Sequence, residues 1–441
     1  MEPLNPNREP EPTEEPLGHD PDASPDGERP DLDELIYDWN GSPQIDLEVR
    51  RIELDDETLR DGLQWPSAQT PTVEEKLELL HLMNDLGIDG ADIGLPAAGP
   101  HVFRDVLRIA QEIVDQKLPI YPNAAARTVV SDIEPIVELS QRAGIAIEVA
   151  AFIGSSPIRQ YAEGWDMDRL LRLTDEAVSY ATKNGLPVMY VTEDTTRSKP
   201  EDLRRMFTAA VEAGAHRLCI ADTVGHATPK GAQEVVRFVR AVAEATGERV
   251  KIDWHGHRDR GLSVANALAA AAAGADRLHG TCLGLGERVG NTPIDLLLVN
   301  MHLLGWSRRD LSRLQLYCEK VHDHTGVPFP DNYPVCGRDA FRTGTGVHAA
   351  AIIKARKKGD DWLADRVYSS VPASIVGSRQ VIDIGPMSGI SNVIHWLEER
   401  GYEAQDDLVQ AIFARAKESK EALSSEEVEA ICRQHGAQGA A

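Results

Sequence analysis

Eight short runs rich in β-branched residues, each followed by an amphipathic stretch, fill residues 52 to about 305 of a 441-residue chain and predict a TIM (β/α)8 barrel. Regular alternation requires parallel strands joined by right-handed crossovers, and eight such units in about 250 residues match a closed barrel. An open doubly wound sheet is the alternative, and no G-x-G-x-x-G follows the first strand to support it. The expected α/β chain has three parts: a disordered acidic tail over residues 1–45, the barrel over 50–305, and a mostly helical C-terminal subdomain over 306–441.

The candidate strands are RIELDD, GIDGADIGL, LPIYPNA, GIAIEVAAF, LPVMYVTE, AHRLCIAD, RVKIDWH and ADRLHGT. The helices between them are expected to begin near Val73, Val102, Asp132, Asp168, Pro200, Pro229, Gly261 and Asn291. Gly87, Gly144, Gly185, Gly214 and Gly274 precede strands and fit the position after a helix end, where the chain turns back toward the barrel floor. Near the C-terminus, Leu408, Ile412 and Ala416 recur at helical spacing, and Ser424 with Glu427 offers a capping box for a second helix.

Composition excludes several classes. The formal charge is −25, but residues 1–35 hold twelve acidic residues against two arginines, with eight prolines. Such a segment buries too little apolar surface to offset its chain entropy. The remaining −15 gives no basic stripe for nucleic acid. No apolar run approaches a membrane span and the first residues lack a secretory pattern, so a cytoplasmic protein is expected. Five scattered cysteines without C-x-x-C spacing point to reduced thiols.

In such a barrel the chemistry gathers where the strands end at their C-terminal side. Those ends carry Arg60 and Asp61 after the first strand, Asp92 on the second, Asn123 and Arg127 after the third, and Glu193, Asp194 and Arg197 after the fifth. Thr223 follows the sixth, His255 and His257 end the seventh, and Asn291 lies beyond the eighth. In IDWHGHRDRG the two histidines are one residue apart, so on a strand both imidazoles share a face. With Asp61 and Asn291 on the same rim they form a nitrogen and oxygen set suited to a divalent ion such as Mn, Mg, Zn or Co, with positions left for water or substrate.

The stretches DETLRDGLQ, EDTTRS, ADTVGHATP, HGHRDRGLSVANALAA and GLGERVGN resemble, in order, motifs of the DRE-TIM metallolyases, which include 2-isopropylmalate, homocitrate and citramalate synthases and 3-hydroxy-3-methylglutaryl-CoA lyase. The resemblance covers residues 52 to about 305 and continues weakly to about 402. It implies Asp61, His255, His257 and Asn291 as metal ligands, and Arg60 as a catalytic cation beside the developing oxyanion. Arg197 and Thr223 are implied as the holders of a 2-oxo acid carboxylate, and Asp92, Asn123 and Arg127 are the further substrate-binding candidates. It also implies acetyl-CoA as co-substrate and a Claisen condensation giving a 2-hydroxy-2-alkyl dicarboxylate, with Glu193, His348 and Tyr368 as proton-transfer candidates. His348 and Tyr368 match family residues that reach a neighbouring subunit's barrel, so a homodimer is expected.

Synthase and lyase are separated by the loop after strand eight. The GERxGN form resembles the condensing enzymes, whereas the lyases carry a cysteine loop of the form GCPYA there. Leu63 in RDGLQ is the lyase-like exception. A retro-Claisen lyase and a barrel that binds a metabolite without turnover are the alternatives. Arg258 stands where the family has Asn, and is expected to hold an added anion or to pair with Asp92 or Asp259. Asp61 in place of the Glu of homocitrate synthases, and Asn123 in place of their His, argue for a 2-oxo acid with a short or branched side chain.

Overall fold

The computed structural model describes residues 35–40, 45 and 50–439; most of the expected acidic tail lies outside them. Eight parallel strands close a barrel in sequence order: β1 (Glu53–Asp56), β2 (Gly90–Asp92), β3 (Tyr121–Arg127), β4 (Glu148–Gly154), β5 (Val188–Glu193), β6 (Arg217–Asp222), β7 (Lys251–Gly256) and β8 (Arg277–Gly280). Closure comes from β8 pairing back on β1, in register from Glu53 with Arg277 to Asp56 with Gly280. The fold class is the one expected.

The surrounding helices are α1 (Val73–Asp85), α2 (Pro100–Asp115), α3 (Val130–Ala143), α4 (Pro157–Glu163), α5 (Met167–Lys183), α6 (Pro200–Glu212), α7 (Pro229–Ala245), α8 (Ser263–Ala272), α9 (Ile294–Leu303) and α10 (Leu314–Thr325). Their starts follow local chemistry. Thr72 caps α1 in a reciprocal box with Glu75, and proline occupies the first position of α2, α6 and α7, where no amide partner is needed. The helix α3 stops at Gly144, whose φ of 75° lets its amide reach Ser140 O; the other four glycines expected at helix ends also have positive φ. The short α4 had no counterpart in the sequence reading.

Strand alternation divides the barrel wall into two chemistries. Leu54, Ala124, Val149, Leu218, Ile252 and Leu278 are fully buried and alternate with inward residues, so they face the helix layer. The inward residues of the floor are charged. Arg217 bonds Asp253 at 2.7 Å and Glu53 at 2.8 Å; Arg277 bonds Asp253 at 2.7 Å and Glu148 at 2.6 Å. Each buried charge has opposite partners, the condition under which its desolvation is offset.

The compact unit containing the barrel runs to Pro328. It includes α10, whose Tyr317 hydroxyl donates to Asp56 Oδ2 at 2.8 Å. The part of the second unit that follows the barrel begins at Phe329. It contains a two-stranded parallel sheet, β9 (Arg342–Thr343) with β10 (Val381–Ile382), and helices α11 (Gly346–Lys357), α12 (Asp361–Arg366), α13 (Ile390–Glu399), α14 (Asp406–Glu418) and α15 (Ser425–Gln434). Val393, Leu397, Leu408, Ile412, Ala416 and Val428 form its core, and Ser424 with Glu427 caps α15 as the spacing predicts. No helix among the described residues is long and apolar enough to cross a membrane.

Candidate active site

The turn after β1, the end of β7 and the loop after β8 bring four predicted ligands to one rim. Asp61 Oδ2 lies 3.7 Å from His255 Nε2 and 3.9 Å from His257 Nε2, and His257 pairs with Asn291 across a backbone bridge. All four side chains are buried or nearly so. His257 Nδ1 and Asn291 Oδ1 have no hydrogen-bond partner among the described residues. Ligands at about 2.1 Å from a tetrahedral or octahedral ion stand roughly 3.0–3.5 Å apart. The separations are a few tenths of an ångström wider than that, and together with the unpaired amide oxygen they leave room for a divalent cation that would draw the ligands in.

Asn291 is aimed by the loop that precedes it. Gly284, Gly286 and Gly290 all have positive φ, and a Cβ on Gly290 would fall on the carbonyl oxygen of Gly284. Asn291 Nδ2 donates to Leu285 O at 3.1 Å, which turns Oδ1 away from the loop. Two arginines pin the same segment from outside. Arg258 Nε donates to Val289 O, while Arg288 Nε donates to Asp259 at 2.9 Å and Nη2 to Thr223 O at 2.6 Å. Arg258 thus pairs with neither Asp92 nor Asp259, as the sequence had offered. Its Nε is spent on a backbone carbonyl, and Arg288 already occupies Asp259.

Electrostatics sort the remaining groups. Arg60 Nε donates to Asp92 Oδ2 at 2.6 Å and Nη1 to Asp61 Oδ1 at 3.0 Å, so a cation is fixed beside the ligand set. Burial pushes Asp92 up to about 7 despite Arg60. Burial, and then the neighbouring His255, holds His257 down at about 4, so its imidazole is neutral at ordinary pH and able to ligate. His255 is raised, because Glu57 Oε2, 2.8 Å from Nδ1, outweighs the lowering effect of burial.

On the opposite part of the rim, Glu193 ends β5, 3.7 Å from Arg159 on α4, and burial raises its carboxyl. Arg197 is held by Asp194 through two bonds of 2.7 Å, and Asp194, itself in the left-handed region at φ 61°, donates its amide to Thr223 Oγ1. Asn123 sits inside β3, with Nδ2 on Asp55 Oδ1 at 2.8 Å. Arg127 ends the same strand but turns to Asp132 in the first turn of α3, with its side chain 68% exposed. In the other unit, His348 and Tyr368 stack with centroids 4.0 Å apart.

Sequence reasoning missed Glu57, Asp253, His279 and Arg159, whereas Asp194, expected on the rim after the fifth strand, is there and holds Arg197. The first three lie behind His255, and two of them carry a signal present in the sequence: Asp253 alternates with His255 and His257, and Glu57 with Glu53 and Asp55.

A family model described as HMGL-like matches residues 51–318. The chain belongs to the HMGL-like family. Among its relatives, a probable 2-isopropylmalate synthase of Methanopyrus kandleri is 33% identical, over 83% of this chain and 70% of that protein. A 2-isopropylmalate synthase of Pyrococcus furiosus is 32% identical over 89% and 77%, and a homocitrate synthase of Methanopyrus kandleri 31% over 85% and 91%. Among solved structures, the HMG-CoA lyase of Bacillus subtilis superposes with a TM-score of 0.52 at 20% identity, covering 64% of this chain and 96% of that one, a likeness of fold. The chain is an enzyme, an acyltransferase of the class that converts the acyl group into an alkyl group on transfer.

Proposed function

We propose that this enzyme condenses acetyl-CoA with a 2-oxo acid of short or branched side chain, giving a 2-hydroxy-2-alkyl dicarboxylate and CoA. The observation that carries the reading is the set of Asp61, His255, His257 and Asn291 beside the fixed cation of Arg60. Three relatives named as 2-isopropylmalate or homocitrate synthases support it.

A divalent ion bound by that set supplies Lewis acidity toward a ketone oxygen. Arg60, locked between Asp92 and Asp61, keeps a positive charge where oxyanion charge develops, without reorganising during the step. Arg197 and Thr223 receive the carboxylate of the 2-oxo acid; Asp194 engages Nε and Nη2 of Arg197, leaving Nη1 for the substrate. Glu193, raised by burial, is the candidate to take a proton from the methyl group of acetyl-CoA, since a carboxyl nearer neutrality is the better base for that step. The enolate carbon then bonds the ketone carbon, and water cleaves the thioester. His348 and Tyr368 serve the barrel of a partner copy; both belong to a surface on which Val347 and Met387 are exposed.

Arg258 spends its Nε on Val289 O, so an acid with an additional anion, which Arg258 would read through its outer nitrogens, stands as the rival substrate. The test is thiol release with acetyl-CoA and a panel of 2-oxo acids in the presence of Mn or Mg. Turnover is expected with short or branched acids, and silence on every acid would sink the proposal. Metal binding without deuterium loss from labelled acetyl-CoA would favour a barrel that binds a metabolite without turnover.

A further inference from the structure

The imidazole of His255 has two faces. Nε2 looks toward Asp61, whereas Nδ1 lies 2.8 Å from Glu57 Oε2. The other oxygen of Glu57 is 3.0 Å from His279 Nδ1, and His279 Nε2 is 3.0 Å from Asp253 Oδ2. Asp253 is gripped in turn by Arg217 and Arg277, at 2.7 Å each. Every member of this column is buried or nearly so. His257 has no such support, for its Nδ1 lacks a partner among the described residues.

We infer that Glu57 is a positioning residue for the metal site: with His279 and Asp253 behind it, it fixes the ring of His255 and keeps the proton on Nδ1, so that Nε2 presents its lone pair to the ion. The inference rests on the metal-dependent reading above and adds residues to which nothing in that reading gives a role. A carboxylate on the distal nitrogen orients a ligating imidazole and raises its basicity. The arrangement is anchored at the charged floor, where Asp253 cannot move without stranding two guanidinium groups.

Glu57, His255 and His279 also lie close enough to one another to offer a second triad for an ion. Hydrogen bonding decides against it. Glu57 stands at hydrogen-bond distance from both rings, and the second nitrogen of His279 is committed to Asp253, whereas the Asp61 set is spaced at 3.7 and 3.9 Å. Protons fill the first cluster, and an ion fits the second.

The test is Mn2+ binding to the chelator-treated full chain, followed by isothermal titration calorimetry with circular dichroism as the check on folding. Wild type should bind one ion and His257→Gln should abolish binding. Glu57→Gln should weaken binding by about 10- to 100-fold, Glu57→Asp should recover part of that loss, and His279→Gln should cost less than tenfold. Glu57→Gln removes the counter-charge of a buried imidazole, so the doubly neutral Glu57→Gln/His279→Gln protein decides the matter should the single variant not fold; it should show the Glu57→Gln loss. Wild-type affinity in whichever of these two variants folds would overturn the role of Glu57 while leaving the metal reading intact. Binding lost in His279→Gln but kept in His257→Gln would move the ion to the other triad and overturn the inference. No binding by wild type would overturn the metal reading itself, and this inference with it.

Discussion

Replacing Gly290 by alanine should separate the geometry of the metal site from the stability of the barrel. Gly290 has φ 97°, a conformation that costs an L-residue about 1–2 kcal/mol. The added Cβ also meets the carbonyl oxygen of Gly284 well inside contact distance, and that oxygen is backbone, so the loop itself must open. Overpacking of this kind typically costs about 1–3 kcal/mol more. Asn291, the proposed ligand, is the next residue, and a displacement of about an ångström in an active site can reduce turnover roughly 100-fold. Gly247→Ala supplies the control, since Gly247 has φ 78° but open space around its Cβ. Urea midpoints, Mn2+ affinity and kcat/KM should be measured for both. Gly247→Ala should lose about 1–2 kcal/mol of stability with affinity and turnover unchanged. Gly290→Ala should lose about 2–5 kcal/mol in all, at least tenfold in Mn2+ affinity and about 100-fold in kcat/KM. Wild-type affinity and turnover in Gly290→Ala would refute the claim that this loop aims Asn291.

Arg258→Asn should lower kcat by a similar factor on every 2-oxo acid, because Arg258 supports a loop carbonyl; a selective change between anionic and apolar acids would contradict that placement. In chelated protein the unfolded chain protonates a histidine near pH 6.5, whereas folded His257 stays neutral down to about 4. Its stabilising contribution is therefore full above pH 6.5 and lost as pH falls toward 4, by about 2 kcal/mol between pH 7 and 5. The wild-type stability minus that of His257→Gln should fall by that amount, and a pH-independent difference would count against it. Mixing inactive Arg60→Ala with inactive His348→Ala protein should restore part of the activity if one copy completes the other's site, and no recovery after confirmed subunit exchange would place His348 elsewhere.

The barrel was legible because alternation is local: each strand and the helix after it announce themselves within thirty-odd residues, as in VMYVTE followed by Pro200. His255 and His257 were legible for the same reason, being neighbours on one face of a strand. Glu57 was not, since its meaning depends on His279, 222 positions away, and only the closure of β8 on β1 brings the two together. Arg258 misled because a guanidinium beside acidic residues reads as an ion pair, whereas the turn of the GLGERVG loop offers it a carbonyl. Arg127 was placed correctly at a strand end, but Asp132, one helical turn further, captured its side chain. In each case position followed from periodicity, and partner choice followed from tertiary register.

The charged floor limits how this barrel can change. Asp253 is shared by Arg217, Arg277 and His279, and Glu148 also meets both arginines. Removing one member of such a group leaves an unmatched buried charge, at about 3–5 kcal/mol, while exchanging several together for apolar side chains of similar volume can be neutral. Drift at these positions must therefore proceed in blocks, and a variant library built one codon at a time will find the floor frozen although a packed hydrocarbon floor would hold the same strands. Because Asp253 also stands behind His255 through His279 and Glu57, even a successful block exchange would free the imidazole proposed as a ligand, so on that proposal an engineer would gain stability there while losing grip on the ion.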